Sequence, residues 1–440
     1  MSADDTICAL ASGPPPSAIA IVRVSGPAVS TIMADLVAGP PPPPRRASLR
    51  DLSDSGTLID RGVVVFMPAP DSYTGEDTLE FQIHGGAGVI EHLLTALTKP
   101  GRARLAEPGE FTRRAFESGK LDLLQAEAVA DLIEAETQAQ KDQALRQVDG
   151  VLSETYEAWR RTLTEILAGL EATIDFPDED DAPSEVGGET GKRMSDLIAD
   201  MQAALGDGGI GERLRDGFRV AIVGPPNAGK STLINRLSGR DVAIVADRPG
   251  TTRDALEARM RIGGAMTWLV DTAGMRASTD EIEAEGVRRA EAQARDADLR
   301  IHVVDATDPD WDLVAAFHVK HDLVLANKSD LASVARKGVF ALSALTGQGE
   351  DDLRRRLTDW VAAQARHAES SVITRARHRQ AIRDAVARLE AGIDNLRNHR
   401  GAEFVAEDVR LAARSIGGVV GDVGVEEVLG TVFSSFCIGK

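Results

Sequence analysis

The sequence predicts a multidomain protein of mixed α/β and α class, with an amino-terminal α+β domain, a helical domain and an inserted α/β domain. Three observations support this prediction. Short strand-like runs separated by turns extend to about residue 119, helix-forming Ala- and Glu-rich segments follow, and a central region alternates buried-type strands with helical segments. Such alternation is typical of a mostly parallel sheet with helices on both faces.

The amino-terminal domain is expected to span residues 1–119. Turn residues separate its strand-like segments, which include 19–24, 61–66 and 77–84. Residues 40–44 are five consecutive prolines. Because proline fits neither a helix interior nor a central strand, this run predicts a surface loop.

The helical domain is expected in two parts, residues 120–216 and 367–440. In the first part apolar side chains such as Leu124 and Ala128 recur three or four positions apart, which is the period of an amphipathic helix. Neither part has a fold signature of its own. We therefore expect the two parts to pack together, with residues 217–366 inserted between them as the α/β domain.

The predicted strands of the inserted domain are buried-type apolar runs. They cover residues 218–223, 266–270, 299–305, 322–326 and 338–342.

The charge balance limits how the protein can bind nucleic acid. Lys and Arg number 50 and Asp and Glu 69, a formal net charge of −19, which argues against binding RNA through a generally basic surface. Two local basic groups remain. Residues 371–400 hold seven Arg against three acids, and the second group consists of Arg102, Arg104, Arg113 and Arg114. Each group is either an ordinary solvated surface or a surface that contacts RNA phosphates.

The cysteine content and the apolar runs indicate the compartment. The two cysteines, Cys8 and Cys437, are far apart in sequence, so a disulfide framework and a CxxC metal pair are excluded. The first residues lack the basic segment of a secretory signal, and no run of 18 apolar residues occurs. We therefore expect a cytoplasmic protein without a membrane span.

A phosphate-binding loop is indicated by residues 224–231, Gly-Pro-Pro-Asn-Ala-Gly-Lys-Ser, which match GxxxxGK[ST] between a strand-like and a helix-like run. The glycines allow successive backbone N–H groups and the helix N-terminus to face phosphates. Lys230 adds a cation, and Ser231 offers a hydroxyl to magnesium. A chance glycine-rich turn of this pattern is expected in roughly one chain in a hundred of this length.

Four further motifs follow the order expected of a GTP site. Residues 271–274, Asp-Thr-Ala-Gly, offer a carboxylate to a magnesium-bound water and an amide to the γ-phosphate, and Thr252 supplies a second magnesium hydroxyl. Asp330, in Asn-Lys-Ser-Asp, can accept two N–H groups from guanine, whereas adenine lacks the matching donor pair. Ser343 and Ala344 complete the base pocket. Together the motifs predict GTP binding.

The group that orients the attacking water is not evident from these motifs. Met275 stands where many GTPases have a glutamine, and methionine cannot position water by hydrogen bonding. Hydrolysis is then either slow and externally assisted, or another group serves. The acidic residues within 280–283 are candidates, although each is more simply read as part of a solvated helix start. A monovalent cation near the amide oxygen of Asn227 would supply the missing positive charge.

Shorter motifs accompany the nucleotide site along the chain. They are Tyr73-Thr-Gly-Glu-Asp, His84-Gly-Gly, Pro108-Gly-Glu-Phe-Thr, Lys120-Leu-Asp-Leu, Asp175-Phe-Pro-Asp-Glu and the terminal Phe-Cys-Ile-Gly-Lys. With the inserted GTP-binding domain, these motifs resemble the MnmE (TrmE) family of tRNA modification GTPases over essentially all 440 residues.

The resemblance implies a fold and a reaction. The fold is a folate-binding-type α+β domain that also forms a homodimer, a helical domain, and an inserted Ras-like P-loop GTPase domain. The implied protein is a potassium-dependent GTPase that acts with an FAD-containing MnmG-type partner on certain tRNAs. Together they build an aminomethyl or carboxymethylaminomethyl group on the 5-carbon of the wobble uridine, using a one-carbon unit from 5-formyl- or methylene-tetrahydrofolate. The alternative is an RNA-assembly GTPase, similar to ribosome-maturation factors, without modification activity.

The resemblance also implies ligands for individual residues. The implied folate-binding residues are Arg23, Glu80, Lys120 and Lys440. A carboxylate such as Glu80 suits the N–H donors of a pterin, and Arg or Lys side chains suit the glutamyl carboxylates of the folate. The implied potassium ligands are Asn227, Ala246, Arg248 and Thr251, of which Ala246 and Arg248 offer only carbonyls. Glu283 aligns with the family's water-orienting glutamate and is the predicted catalytic residue. Cys437 is either a small apolar residue or a nucleophile toward the pyrimidine ring.

The complete predicted nucleotide site has two magnesium ligands, Ser231 and Thr252. The predicted GTP-binding residues are Asn227, Ala228, Gly229, Lys230, Ser231, Thr232, Ala246, Asp247, Arg248, Pro249, Gly250, Thr251, Thr252, Asp271, Thr272, Ala273, Gly274, Asn327, Lys328, Asp330, Ser343 and Ala344.

Overall fold

A computed structural model of the chain describes most of its residues. The described residues are 5–175, 186–239, 257–271, 292–422, 426–434, 436 and 438–439. They belong to two compact units. The first comprises Met1–Ala130, Gln147–Glu171 and Val409–Lys440, and the second comprises Asp131–Arg146 and Ala172–Asp408.

The first unit contains a six-stranded sheet in the order β3-β4-β5-β2-β1-β6. Its strands are β1 (Ile7–Leu10), β2 (Ser17–Ser25), β3 (Ser48–Asp54), β4 (Thr57–Met67), β5 (Thr78–Gly85) and β6 (Arg104–Leu105). Neighbouring strands are antiparallel except β1 and β6, which are parallel. This mixed sheet confirms the predicted α+β class of the amino-terminal region.

Helices account for most of the remaining ordered structure. The labelled helices are α1 (Val29–Leu36), α2 (Ala87–Leu97), α3 (Glu110–Glu117), α4 (Leu123–Glu134), α5 (Gln138–Val148), α6 (Val151–Asp175), α7 (Val186–Leu205), α8 (Ile210–Asp216), α9 (Lys230–Ser238), α10 (Trp311–Phe317), α11 (Glu350–Ala368), α12 (Ala376–Arg397), α13 (Ala402–Val420) and α14 (Glu426–Ser434). In the described part of the chain, no helix combines the length and apolar character that a membrane crossing requires.

The core of the first sheet follows from the alternation of side chains along its strands. In β2 the buried residues Ala20, Val22 and Val24 are two positions apart, as are Leu79 and Phe81 in β5. These side chains share one hydrophobic cluster with α1 and α2. The opposite face of β2 and β5 is therefore free to carry polar groups.

Glu110, at the start of α3, is a buried carboxylate between two arginines. It accepts hydrogen bonds from Arg104 Nη1 at 2.8 Å, Arg114 Nη2 at 3.1 Å and the backbone N–H of Glu107 at 2.8 Å. Burial alone would raise the pKa of Glu110, but these donors hold it below its usual range. Folding therefore stabilises the ionised carboxylate of Glu110.

We expect Glu110→Gln to lower local stability by about 1–3 kcal/mol near neutral pH, because buried donors lose a charged acceptor. The pKa of Glu110 is lower in the folded than in the unfolded protein. The difference in stability between wild type and variant is therefore fully present above about pH 5, and it disappears as the pH falls through the folded-state pKa. The measurement compares hydrogen-exchange protection of β2 amides in wild type and variant at each pH. Glu117→Gln, in an exposed pair with Arg113, is the control, with an expected change within about 0.5 kcal/mol. A difference independent of pH would contradict the assignment.

The second unit contains the inserted sheet, in the order β12-β11-β10-β7-β9-β8. Its strands are β7 (Phe218–Val223), β8 (Glu257–Ile262), β9 (Ala265–Asp271), β10 (Leu299–Asp305), β11 (Leu323–Asn327) and β12 (Val339–Ala341). All neighbours are parallel except β8 and β9. The mostly parallel sheet confirms the predicted class. Sequence reasoning missed β8, an edge strand, although its residues Glu-Ala-Arg-Met-Arg-Ile alternate strictly between charged and apolar side chains.

Helices cover both faces of this sheet. On one face α9 and α11 supply Leu233, Leu237 and Leu357 to a cluster with the strands. On the other face Ala294 and Leu313 pack against Val223. The loops that follow the parallel strands therefore meet at one edge, where open α/β sheets bind ligands.

Candidate functional site

The glycine-rich loop connects β7 to α9, as the motif requires. Gly229 has a φ of 93°, a left-handed conformation that favours glycine. A Cβ at this position would lie 2.2 Å from Asn327 Nδ2. Gly224 is similarly confined, since its Cβ would lie 2.3 Å from the carbonyl oxygen of Val303. Both glycines are therefore required by the close approach of the loop to neighbouring strands.

Lys230 lies beneath this loop and is 6 % exposed. Its Nζ donates to the carbonyl oxygens of Gly224 at 2.9 Å and Pro225 at 3.1 Å. Burial lowers the pKa of the Lys230 ammonium, and the negative charge of Asp271 opposes that shift. An ammonium has three N–H donors, so the group can turn from carbonyl acceptors to phosphate oxygens.

Ser231 and Asp271 form the second element of the site. Ser231 Oγ donates to Asp271 Oδ2 at 2.7 Å, which joins the first turn of α9 to the end of β9. The other oxygen, Asp271 Oδ1, is buried and has no hydrogen-bond partner among the described residues. A buried carboxylate oxygen without a donor is costly. A hydroxyl beside such an oxygen is a donor set that fits a magnesium ion and its water ligands.

Asn327 connects the phosphate loop to the predicted base pocket. Its Nδ2 donates to the carbonyl oxygen of Ala228 at 2.7 Å, and its Oδ1 accepts from the backbone N–H of Ala344 at 2.8 Å. The side chain is buried, with 3 % exposure. One amide therefore sets the spacing between two loops that are more than a hundred residues apart in sequence.

Two ion pairs hold the rest of the base loop. Lys328 Nζ lies 2.5 Å from Asp305 Oδ2 at the end of β10. Arg236 of α9 pairs with Glu350 at 2.6 Å and donates to the carbonyl oxygen of Leu345 at 3.2 Å. Sequence reasoning missed Arg236 and Glu350. No local signal marks them, because the two residues are far apart in sequence.

Asp330 and Asn227 are exposed. The exposure of Asp330 leaves its carboxylate accessible to a base edge. Asn227 has a φ of 63°, a conformation that asparagine adopts more readily than most residues.

Several predicted residues lie outside the described part of the chain. They are Ala246, Asp247, Arg248, Pro249, Gly250, Thr251, Thr252, Thr272, Ala273, Gly274, Met275, Glu283, Cys437 and Lys440. The second magnesium hydroxyl, most of the potassium set and the water-orienting glutamate therefore stay predictions.

The predicted folate residues Arg23 and Glu80 lie directly opposite each other on β2 and β5. Arg23 Nη2 is 2.9 Å from Glu80 Oε1. The guanidinium also lies over the rings of Tyr73 and Phe111, at 5.5 and 5.6 Å from their centroids. A carboxylate has about four lone-pair positions, so Glu80 can still accept N–H donors from a pterin. This donor set is chemically suited to a folate.

Of the other two predicted folate residues, Lys120 belongs to the described part of the chain and Lys440 does not. Lys120 is exposed, and its Cε lies near the Gly75 turn that follows Tyr73. The carboxyl-terminal segment reaches the same unit, since Ile438 forms a β-bridge with Pro108. Two of the motifs that carried the family resemblance are thus in contact.

The first basic group is neutralised by carboxylates. The pairs are Arg102 with Asp35 and Asp54, Arg104 with Asp5 and Glu110, Arg113 with Glu117, and Arg114 with Asp5, Glu76 and Glu110. In the second group, Arg375 pairs with Asp131 and Arg379 with Asp207. These pairs favour the structural reading of the first group, and of Arg375 and Arg379 within the second, over direct phosphate contact.

Comparison with known proteins agrees with this architecture. Residues 6–120 match the family description "GTP-binding protein TrmE N-terminus", and residues 123–437 match "MnmE helical domain". The tRNA modification GTPase MnmE of Hyphomonas neptunium is 54% identical over 443 residues, covering 100% of both chains. The protein of the same name from Parvibaculum lavamentivorans is 49% identical, covering 99% of this chain and 100% of its own.

A solved structure of Aquifex aeolicus Era bound to GDP and AlF4− is 29% identical over 32% of this chain and 56% of that one, at a TM-score of 0.27. That score is too low to compare geometry. The full-length sequence identity and the two family matches together show that the chain belongs to the MnmE (TrmE) family.

Proposed function

We propose that this protein is a potassium-dependent GTPase that modifies the 5-carbon of the wobble uridine in certain tRNAs. As a member of the MnmE family it is a GTP hydrolase that takes part in tRNA modification. The finer proposal is that it acts in the cytoplasm as a homodimer with an FAD-containing MnmG-type partner. The product is an aminomethyl or carboxymethylaminomethyl group, built with a tetrahydrofolate one-carbon unit.

The observation that carries the GTPase assignment is the Asn327 bridge. Through bonds of 2.7 and 2.8 Å, one buried amide joins the phosphate loop at Ala228 to the base loop at Ala344. A binding site for a purine nucleotide needs its phosphate and base contacts held at a set spacing. This bridge supports such a site between the two loops.

In the proposed reaction, Lys230 and the loop amides bind the phosphates, while Ser231 and Asp271 would hold magnesium and its water. Bound magnesium would neutralise charge that develops on the phosphate oxygens. Glu283 orients the attacking water. Glu283→Ala should then lower turnover while GTP affinity stays close to wild type. A loss of affinity with unchanged turnover would contradict that role.

The modification itself is tested in cells. In a strain that lacks the gene, mass spectrometry of tRNA nucleosides should show loss of the aminomethyl-type wobble uridines. The wild-type gene should restore them, and a Lys230→Ala gene should not. Unchanged aminomethyl-type uridines in the deletion strain would overturn the proposal and favour an RNA-assembly GTPase.

We expect Asp330→Asn to shift base preference away from GTP. The change replaces one of two acceptor oxygens with a donor, which should cost about 1–3 kcal/mol with guanine, or roughly 5- to 150-fold in affinity. Competition of GTP, ITP and XTP for the binding site measures the shift. Asp312→Asn, at an exposed carboxylate of α10 that belongs to none of the GTP motifs, is the control. Unaltered guanine selectivity in the Asp330 variant would refute the assignment.

We expect replacement of potassium by sodium to slow GTP turnover. A cation near Asn227 would stabilise phosphate charge in the transition state, and the larger ion suits a loop of carbonyl ligands. Steady-state hydrolysis at equal ionic strength in the two salts is the measurement. Asn227→Ala should reduce the difference between the salts, and equal wild-type rates in both would reject the potassium site.

The folate proposal is supported by the Arg23 and Glu80 pair. Equilibrium binding of 5-formyltetrahydrofolate to the full chain tests it. Glu80→Gln should weaken binding, whereas Glu91→Gln, on α2, should not. Equal affinities in both variants would exclude Glu80 as a pterin ligand.

A further inference from the structure

A group of two histidines and one aspartate lies on the inserted sheet, away from the nucleotide loops. Potential ligand atoms of His302, His318 and Asp322 all lie within 4.8 Å of one another. His302 is in the middle of β10, His318 caps the carboxyl end of α10, and Asp322 directly precedes β11. None of the motifs of the GTP site includes these residues.

The geometry of this group suits a shared ligand. His302 Nε2 and Asp322 Oδ2 are 3.1 Å apart, and both side chains are almost completely buried. Two ligands of one tetrahedral zinc ion, with bonds of about 2.0–2.1 Å, are separated by about 3.3 Å. These two atoms share a hydrogen bond. An ion bound between them would replace that bond with little movement of either side chain. His318 is exposed, so its ring can adjust to bring in the third ligand.

One polar atom in this group is unexplained by the hydrogen-bond network. His302 Nδ1 is buried and has no hydrogen-bond partner within the part of the chain that the structure describes. The ring of His318 is nearby, with its centroid 5.6 Å from that of His302. With an ion on Nε2, the proton of the neutral ring lies on Nδ1, and a water molecule is the acceptor that this buried N–H then needs.

The aspartate is held in place by the backbone. Asp322 Oδ1 accepts from the backbone N–H of Arg300 at 3.1 Å, and Oδ2 accepts from that of Val319 at 2.8 Å. Arg300 Nη1 also lies 3.6 Å from Oδ1. These contacts orient the carboxylate in the way that outer partners orient a metal ligand. Arg300 offsets part of the negative charge, so the ion must be bound mainly through the two imidazoles and Oδ2.

We propose that His302, His318 and Asp322 bind a divalent transition metal, with zinc as the ion that their chemistry favours. Two imidazoles and one carboxylate are ligands that zinc takes readily, whereas magnesium prefers oxygen ligands alone. The exposed side of the group leaves the fourth position to water. Binding requires a neutral, unprotonated nitrogen on each imidazole and releases any proton held there.

This metal is structural and separate from the magnesium of the nucleotide site. Asp322 precedes β11 and Asn327, at the nucleotide edge of the sheet, ends it, so at about 3.3 Å per residue these two residues are about 16 Å apart. The ion would hold the end of α10 against β10 and the start of β11. It should therefore raise the thermal stability of the inserted domain without taking part in GTP hydrolysis.

The test uses Co²⁺ as a spectroscopic probe on the full-length protein, with excess magnesium present. We expect one Co²⁺ per chain with the intense visible absorption of a tetrahedral site, and displacement by Zn²⁺. His318→Ala, an exposed position that should not disturb folding, should weaken binding by more than about 10-fold. His321→Ala, the exposed histidine next to Asp322, is the matched control and should bind as wild type.

A second readout is thermal unfolding. Zn²⁺ should raise the Tm of wild type and of His321→Ala, but not that of His318→Ala, and GTP turnover of His318→Ala should equal wild type. Absence of the visible absorption in wild type would overturn the proposal. So would equal Co²⁺ affinity in wild type and His318→Ala, or an equal loss in His321→Ala, which would show a different ligand set.

Discussion

Lys230→Ala should weaken GTP binding by about 30- to 5000-fold. The range corresponds to about 2–5 kcal/mol, the usual cost of removing one partner of a buried, hydrogen-bonded charge contact. Lys230 is buried under the phosphate loop and its ammonium bonds two loop carbonyls. Its loss removes a phosphate ligand and also loosens the loop. Equilibrium binding of a fluorescent GTP analogue, with competition by unlabelled GTP, measures the change.

The matched control for this variant is Lys337→Ala. Lys337 is an exposed lysine just before β12, at the end of the strand opposite the nucleotide loops. It should bind GTP as wild type does. A Lys230 variant whose GTP affinity is within about threefold of wild type, less than 0.7 kcal/mol, would exclude Lys230 from the phosphate site.

Asn327→Ala is the second large effect and should weaken GTP binding by about 10- to 100-fold. The substitution leaves the carbonyl of Ala228 and the N–H of Ala344 without their partner, and the fold-change corresponds to a total of about 1.4–2.8 kcal/mol in the free energy of GTP binding. Because the base loop loses its attachment to the phosphate loop, discrimination between GTP and ATP should fall as well. Competition binding with both nucleotides reports both effects.

The control for this variant is Asn235→Ala, an exposed asparagine on α9 in the same unit. Circular dichroism and thermal unfolding of both variants separate loss of the site from loss of the fold. If Asn327→Ala keeps its fold and binds GTP with wild-type affinity and selectivity, then the bridge does not position the nucleotide.

The strands and the phosphate loop could be predicted from sequence because their signals are local. A run such as 218–223, followed by two glycines, lysine and serine, contains its own hydrophobic pattern and its own turn chemistry. β8 was overlooked although residues 257–262 alternate strictly between charged and apolar side chains, which is the local pattern of a half-buried strand. Thr252 and Glu283 lie outside the described residues. Their roles in the nucleotide site therefore stay predictions.

The candidate folate pair shows how a resemblance and a structure complement each other. Residues Arg23 and Glu80 are 57 positions apart, and nothing in their local sequence indicates that they meet. Strand register places them opposite each other, and the packing of Tyr73 and Phe111 places aromatic rings against the guanidinium. Register depends on which faces are buried across several strands, and this is a property of the whole sheet.

The sequence by itself determined the fold class, the phosphate loop and the family resemblance, since each depends on residues close together in the chain. Only the tertiary structure decided which distant groups come together. It paired the arginines at 102, 104, 113 and 114 with carboxylates, and it showed the bridging role of Asn327. It also brought His302 beside Asp322. The physical reason is that hydrogen bonds, ion pairs and metal ligands require a distance in space, which separation along the chain does not specify.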